Sequence, residues 1–156
     1  MKQAILGVGN ILLRDDGIGI RVVQELADKG TLTNVELVDG GTSTLDMLGL
    51  FLSHDRIIVV DSLRGGHPPG TIYRLTPEQL GSYMSGSASL HEVQILDVVQ
   101  LATMLGHSPE VLIIGIEPKE IELSMQLSPG IEALLPRIVD AVEAEVIKTL
   151  EVYQEG

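Results

Sequence analysis

The chain has 156 residues, 44% of them hydrophobic, with 22 acidic against 10 basic side chains, a formal charge of -12 and no cysteine. This length is expected to fold as one domain over residues 1–156 and to bury roughly 70% of the surface its unfolded form exposes, without staples. The composition excludes a thiol nucleophile, a thiolate zinc site, an iron-sulfur cluster and a disulfide scaffold, and the negative field opposes a surface built to neutralise nucleic-acid phosphates.

In chain order, apolar runs of strand length alternate with segments of helical period, which predicts an α/β fold. Ala4 to Val8 reads as a first strand ended by Gly9-Asn10, and Ile18 to Lys29 as a helix with Ile18, Val22, Val23 and Leu26 on one face, stopped by Gly30. Val35 to Val38 is a second strand, ended by Asp39-Gly40-Gly41. Thr44 to Ser53 repeats the helical period through Leu45, Leu48 and Leu52, and Arg56 to Val60 is a very apolar third strand ending at Asp61. Arg64 to Gly70 is a turn or short excursion before a strand at Thr71 to Leu75. Thr76-Pro77-Glu78-Gln79 has the cap, the proline and the glutamine of a helix start. Gly81 to Ser89 is rich in glycine and serine and is expected to be a loop that delivers His91. A helix over about Glu92 to Leu105, a strand at Val111 to Ile116, and a last helix opened by Ser128-Pro129 and running to about Tyr153 complete the chain. The predicted architecture has three layers: a mostly parallel twisted sheet with helices on both faces. The scarcity of aromatics, one Phe, three Tyr and no Trp, suits a sheet filled by Leu, Ile and Val and disfavours base stacking.

No apolar run approaches the roughly 20 residues that cross a bilayer, and Met1-Lys2-Gln3 leads straight into a strand rather than a secretory apolar segment. The sequence is therefore expected to belong to a cytoplasmic protein with neither a membrane nor a nucleic-acid partner.

Ligands of open parallel sheets bind beyond the carboxyl ends of the strands. Those ends carry Asp15, Asp16, Asp39 and Asp61, and His91 can reach them from its loop. Carboxylates gathered without a basic partner repel one another, so a cation is the natural completion, and oxygen ligands with one imidazole suit nickel or zinc with open positions. Each residue also has a structural reading. Asp16 before an amphipathic helix is commonly an N-cap, Asp39-Gly40-Gly41 a tight turn, Asp61-Ser62 a strand end, and His91 the opening of a helix. His54, His67 and His107 lie in connections and read as solvated.

Gly7-x-Gly9 with Asp39 after the second strand also resembles part of a dinucleotide-binding fingerprint, but Leu12 occupies the third glycine position and Asp15-Asp16 would repel a pyrophosphate. No G-x-S-x-G elbow exists, and His91-Glu92 is followed by Ile95 where a zincin has histidine.

Taken together, Gly7-Val8-Gly9-Asn10, Asp15-Asp16-Gly17-Ile18-Gly19, Asp39-Gly40-Gly41-Thr42, Asp61, Ser89-Leu90-His91-Glu92, Gly115-Ile116-Glu117-Pro118 and Leu127-Ser128-Pro129 resemble the hydrogenase maturation endopeptidases over nearly the whole chain. These are proteases that trim the C-terminal extension from the large subunit of nickel-iron hydrogenases. The resemblance implies that Asp16, Asp61 and His91 contact nickel already installed in the large-subunit precursor. The metal is then a recognition element brought by the substrate, and no tightly bound metal of the protein's own is expected. The family has no conventional nucleophile. In this reading a water attacks the scissile carbonyl, Asp16 or Asp39 takes its proton, and Gly40, Gly41 and Thr42 position the substrate through backbone amides. A non-catalytic nickel-binding chaperone using the same three side chains, and an NAD-binding module, are the alternatives.

Overall fold

Alternation of apolar strands with amphipathic segments produces a five-stranded sheet in the order β2-β1-β3-β5-β4. The computed structural model describes residues 1–83 and 90–155, with side chains over 1–82 and 91–148. The strands are β1 (Gln3–Gly7), β2 (Val35–Asp39), β3 (Arg56–Ser62), β4 (Ile72–Leu75) and β5 (Glu110–Ile116). The first three and β5 are parallel, whereas β4 runs antiparallel along the edge of β5. β1 and β3 are buried at every position, as continuous apolar runs covered on both faces must be, and the edge strands β2 and β4 are only partly covered.

Among the described residues, five helices cover the two faces: α1 (Ile18–Lys29), α2 (Leu48–Ser53), α3 (Pro77–Tyr83), α4 (Leu90–Met104) and α5 (Pro129–Glu155). Odd and even positions of the central strands point to opposite faces, so each strand feeds two cores. Ile5, Ile58, Val60, Ile114 and Ile116 pack against α1 and α5 through Val22, Leu26, Ile131 and Ile138. Leu6, Ile57, Val59 and Ile113 pack against α2, α3 and α4 through Phe51, Leu80, Ile95 and Val98. The three-layer expectation holds. Among the described residues no helix is long and apolar enough to cross a membrane.

Most element boundaries agree with the sequence to within a residue or two. The α1 limits are as expected, and Gly30 closes the helix at φ 65°, where a residue without Cβ is unstrained. At the α3 start, Thr76 Oγ1 accepts from Gln79 N at 3.2 Å while Gln79 Oε1 accepts from Thr76 N at 2.9 Å, a complete capping box. The chain expected to loop from Gly81 begins with the last turn of α3, and residues 84–89 lie outside the described residues.

Two expectations need correction. Thr44 to Ser53 is not one helix: a tight three-residue-period turn over Thr44–Met47 precedes α2 and rotates its face, so Phe51 is buried while Leu45 and Leu52 are exposed. His54 is not solvated either. It is buried, with Nδ1 at 3.0 Å from Leu50 O and Nε2 at 2.6 Å from a Glu36 carboxylate oxygen on the neighbouring edge strand. His107 is half-buried with Nε2 at 2.6 Å from His54 O, and only His67 is exposed as expected.

Candidate active site

The order of the strands reverses at β1, because the chain passes from β1 outward to β2 and then returns to the other side of β1 to lay down β3. The crevice beyond the carboxyl ends of β1 and β3 is therefore the topological switch point, where ligands of open sheets bind. Asp16 follows β1, Asp61 lies near the end of β3, and His91 sits in the first turn of α4. One ligand atom from each of the three lies within 4.8 Å of the others. His91 Nδ1 is 3.7 Å from Asp61 Oδ2 and 4.0 Å from Asp16 Oδ1.

Glycines allow the approach. A Cβ on Gly9, at φ 142°, would lie 2.0 Å from Asp16 O, and one on Gly19 would lie 2.1 Å from Val60 O. The glycine-rich turn after β1 thus lets α1 and the Asp16 loop lie directly on the strand ends, which accounts for its glycines without a dinucleotide.

Both carboxylates are fixed by short bonds. Asp16 Oδ2 accepts from Asn10 N at 2.9 Å and its Oδ1 from Ser62 Oγ at 3.0 Å. Asp61 Oδ1 accepts from Ser62 N at 2.7 Å, while its buried Oδ2 has no hydrogen-bond donor among the described residues and lies 3.7 Å from His91 Nδ1. A buried carboxylate oxygen without a donor is costly unless a cation or proton completes it. Accordingly, burial above all pushes Asp61 up to about 7, although His91 nearby opposes the rise. The contact with the Asp61 carboxylate raises His91 above the ordinary histidine value, with Asp16 and Glu92 adding to it and partial burial opposing it. An oxygen-rich pair of carboxylates plus one imidazole, with open positions, fits a borderline divalent metal.

The N-cap reading of Asp16 does not apply, since the α1 N-cap is Gly17 and no side chain caps that helix. The strand-end and helix-opening readings of Asp61 and His91 are compatible with the cluster, because both residues occupy those places and still converge. Asp39 stands apart. It is exposed, and its Oδ1 accepts from Gly41 N at 2.9 Å, the tight turn expected of Asp-Gly-Gly. Gly40 N donates to Gly7 O at 2.8 Å, and Gly9 N donates to Gly41 O at 2.9 Å, so this loop is stitched to the turn after β1. The amides of Gly40 and Gly41 are thereby used inside the fold, leaving exposed Thr42 and half-buried Gly41 as the accessible surface of that loop.

Several residues support the site in ways that the sequence did not assign to them. Ser62 links the two acids, donating from its N–H to one and from its hydroxyl to the other. Its position directly after Asp61 was the available signal. Gln94 Oε1 on α4 accepts from Thr44 N at 2.8 Å and ties the segment after β2 to the helix that carries His91. Glu117 holds the glycine- and proline-rich loop after β3: its Oε1 accepts from Gly65 N at 2.8 Å, His67 N at 3.1 Å and Tyr73 Oη at 2.5 Å. Burial alone raises the Glu117 carboxyl, but these donors outweigh it and lower the value.

Asp15 points the other way from Asp16 and is fully buried. Its carboxylate accepts from Ser128 N at 2.7 Å, Ser128 Oγ at 2.6 Å, Glu120 N at 2.9 Å and Lys119 N at 3.0 Å. One carboxylate thus fastens the segment after β5 and the start of α5 to the Asp16 loop. Asp15→Ala strands these donors and is expected to lower unfolding free energy by roughly 2–3 kcal/mol in urea titrations. An unchanged midpoint would contradict this role.

Known proteins resemble this chain over most of its length. Residues 20–145 match the family described as HycI, hydrogenase maturation protease. Hydrogenase 2 maturation protease from Escherichia coli (strain K12) is 33% identical over 147 residues, covering 92% of this chain and 90% of that protein. The hydrogenase expression/formation protein HupD from Thiocapsa roseopersicina is 35% identical over 144 residues, which span 89% of this chain and 65% of that protein. Among solved structures, the hydrogenase maturating endopeptidase HybD from E. coli aligns with a TM-score of 0.85 and 30% identity over 96% of this chain and 94% of its own.

Proposed function

The chain belongs to the hydrogenase maturation protease family, and from that premise we propose that it removes the C-terminal extension from the nickel-loaded large-subunit precursor of a nickel-iron hydrogenase, acting in the cytoplasm. The observation that carries the reading is the convergence of Asp16, Asp61 and His91 at the switch point, with a buried Asp61 oxygen 3.7 Å from His91 Nδ1. In this proposal nickel arrives as part of the substrate, held by the precursor's own thiolates, and the three side chains complete its surroundings. Nickel supplies Lewis acidity toward the scissile carbonyl or an attacking water. Asp16 is the better candidate to take the proton, because it lies in the cluster, whereas Asp39 is exposed and its carboxylate is engaged by Gly41. The accessible edge of the Gly40-Gly41-Thr42 loop, tied into the site by the turn after β1, serves as a rest for the extended peptide.

Incubation with nickel-loaded precursor is expected to release the extension, read as a mass loss, and nickel-free precursor is expected to stay intact. Binding of the loaded precursor without mass loss would favour the chaperone reading. Saturable binding of NAD would favour the dinucleotide module.

Protons compete with the metal for the same lone pairs. Because the folded protein raises both His91 and Asp61, each holds a proton to a higher pH than its unfolded counterpart. Cleavage is therefore expected to fall on acidification, on a limb that begins above the ordinary histidine value of about 6.5. For the metal-free protein the sign is the same for both groups: their contribution is fully present below the unfolded values and is lost as pH rises through the folded ones. Its melting temperature should thus decline between about pH 5 and pH 8, and Asp61→Asn should flatten the decline. Cleavage that rises on acidification would contradict the competition.

A further inference from the structure

Beside Asp16 two loops expose apolar side chains that the fold does not use. Leu123 is 85% and Met125 71% exposed, and Ile11, Leu12 and Ile121 are exposed as well. These residues form one built surface, because Ser124 N donates to Leu12 O at 2.9 Å and Arg14 N donates to Ser124 O at 2.9 Å. The Asp15 carboxylate pins the same segment from beneath through the amides of Lys119, Glu120 and Ser128. The surface also adjoins the site: Asn10 N holds Asp16 Oδ2, and a Cβ on Gly17 would lie 2.9 Å from Ile11 Cα.

We infer that this apolar surface is the docking face for the folded body of the metal-bearing precursor, as distinct from its extension. The inference rests on the function proposed above. A metal held by the partner's own side chains lies within folded protein. For that metal to reach Asp16, the partner's surface around it must press on the ground beside Asp16, and this ground is apolar and prefixed. Exposed apolar side chains of this size beside a site mark an interaction surface, and methionine adapts to an irregular partner. Charge argues against a second copy of this chain as the occupant. Glu120 and Glu122, about half exposed, flank the surface around Arg14, and the chain carries -12, so two such faces would bring like charge together. The complementary partner presents apolar groups with a basic rim.

The test uses the full chain with nickel-loaded precursor. Leu123→Glu combined with Met125→Glu is expected to raise KM by about tenfold or more while kcat at saturation stays within about twofold, as for loss of central apolar anchors. Met104→Glu, on an equally exposed residue of α4, adds charge away from the site and is expected to leave KM unchanged. An unaltered KM in the double variant overturns the inference. So does an equal rise with Met104→Glu, which would reduce the effect to general repulsion, or a wild-type dimer made monomeric by the double variant, which would assign the face to a second copy. Competition by free extension peptide that the double variant abolishes would assign it to the extension instead. If wild-type protein cleaves nothing, the proposed function itself fails and this inference falls with it, whereas a cleaving wild type with an indifferent double variant removes the inference alone.

Discussion

Asp16→Ala, Asp61→Ala and His91→Ala are each expected to lower precursor processing by more than about 100-fold, the upper end for losing even an outer contact to a metal. In the proposed function the three act as one set of ligand atoms, so single losses should nearly match the triple loss rather than add. The fold should survive, since none of the three contributes to the hydrophobic cores. Asp61→Asn sharpens the distinction between function and stability. It removes a charge that burial opposes, and is expected to stabilise the metal-free protein by about 1–2 kcal/mol near pH 8 while still abolishing processing. Collapse of circular dichroism in all the alanine variants would instead mean that these residues serve the fold.

Gly9→Ala is the second large effect, here on stability as well as activity. The residue sits at φ 142°, and its new Cβ would lie 2.0 Å from the Asp16 carbonyl oxygen, a backbone atom that cannot swing aside. Backbone strain of roughly 1–3 kcal/mol and overpacking of a similar size together give a loss of about 2–6 kcal/mol in urea unfolding. Whatever relaxes does so by moving Asp16. Gly30→Ala is the comparison, since φ is positive there as well, at 65°, but nothing lies within 4 Å. Its cost should be about 1–2 kcal/mol, from the left-handed conformation alone, with processing intact. Equal losses in the two variants would mean that close approach at Gly9 contributes nothing.

These residues also show what was legible in the sequence. Local signals carried through where local chemistry decides: the period of Ile18, Val22, Val23 and Leu26, the terminal Gly30, and the Thr76–Gln79 capping pair all recur in the structure. Strand ends in a parallel sheet share one side, a rule of topology that gathered Asp15, Asp16, Asp39 and Asp61 with His91, and the family resemblance narrowed these to Asp16, Asp61 and His91. Features set by tertiary contact were less legible. His54 is buried because Glu36 of the edge strand β2 and Leu50 of α2 close around it, and nothing adjacent in sequence announces that. The Asp15–Asp16 pair looked like one acidic unit, yet a tight turn over Arg14–Gly17 sends one carboxylate to the amides of the distant Lys119–Ser128 segment and the other to the site. Ser62 was hidden by its ordinariness, since a serine ending a strand is common and only the approach of Asp16 gives its hydroxyl an acceptor. The same folding engages the Gly40 amide with Gly7 and the Gly41 amide with the Asp39 carboxylate, so Thr42 is the exposed residue of that loop.

The central claim is that these three side chains touch the nickel of the precursor. X-ray absorption at the nickel edge, on loaded precursor mixed with the protein and frozen before turnover, tests it most directly. The account predicts that nickel gains the scattering of one imidazole and of carboxylate oxygen on mixing with wild type, and that the imidazole component is missing with His91→Gln. A nickel environment that is unchanged on mixing, in a sample that then proceeds to cleavage, would contradict it.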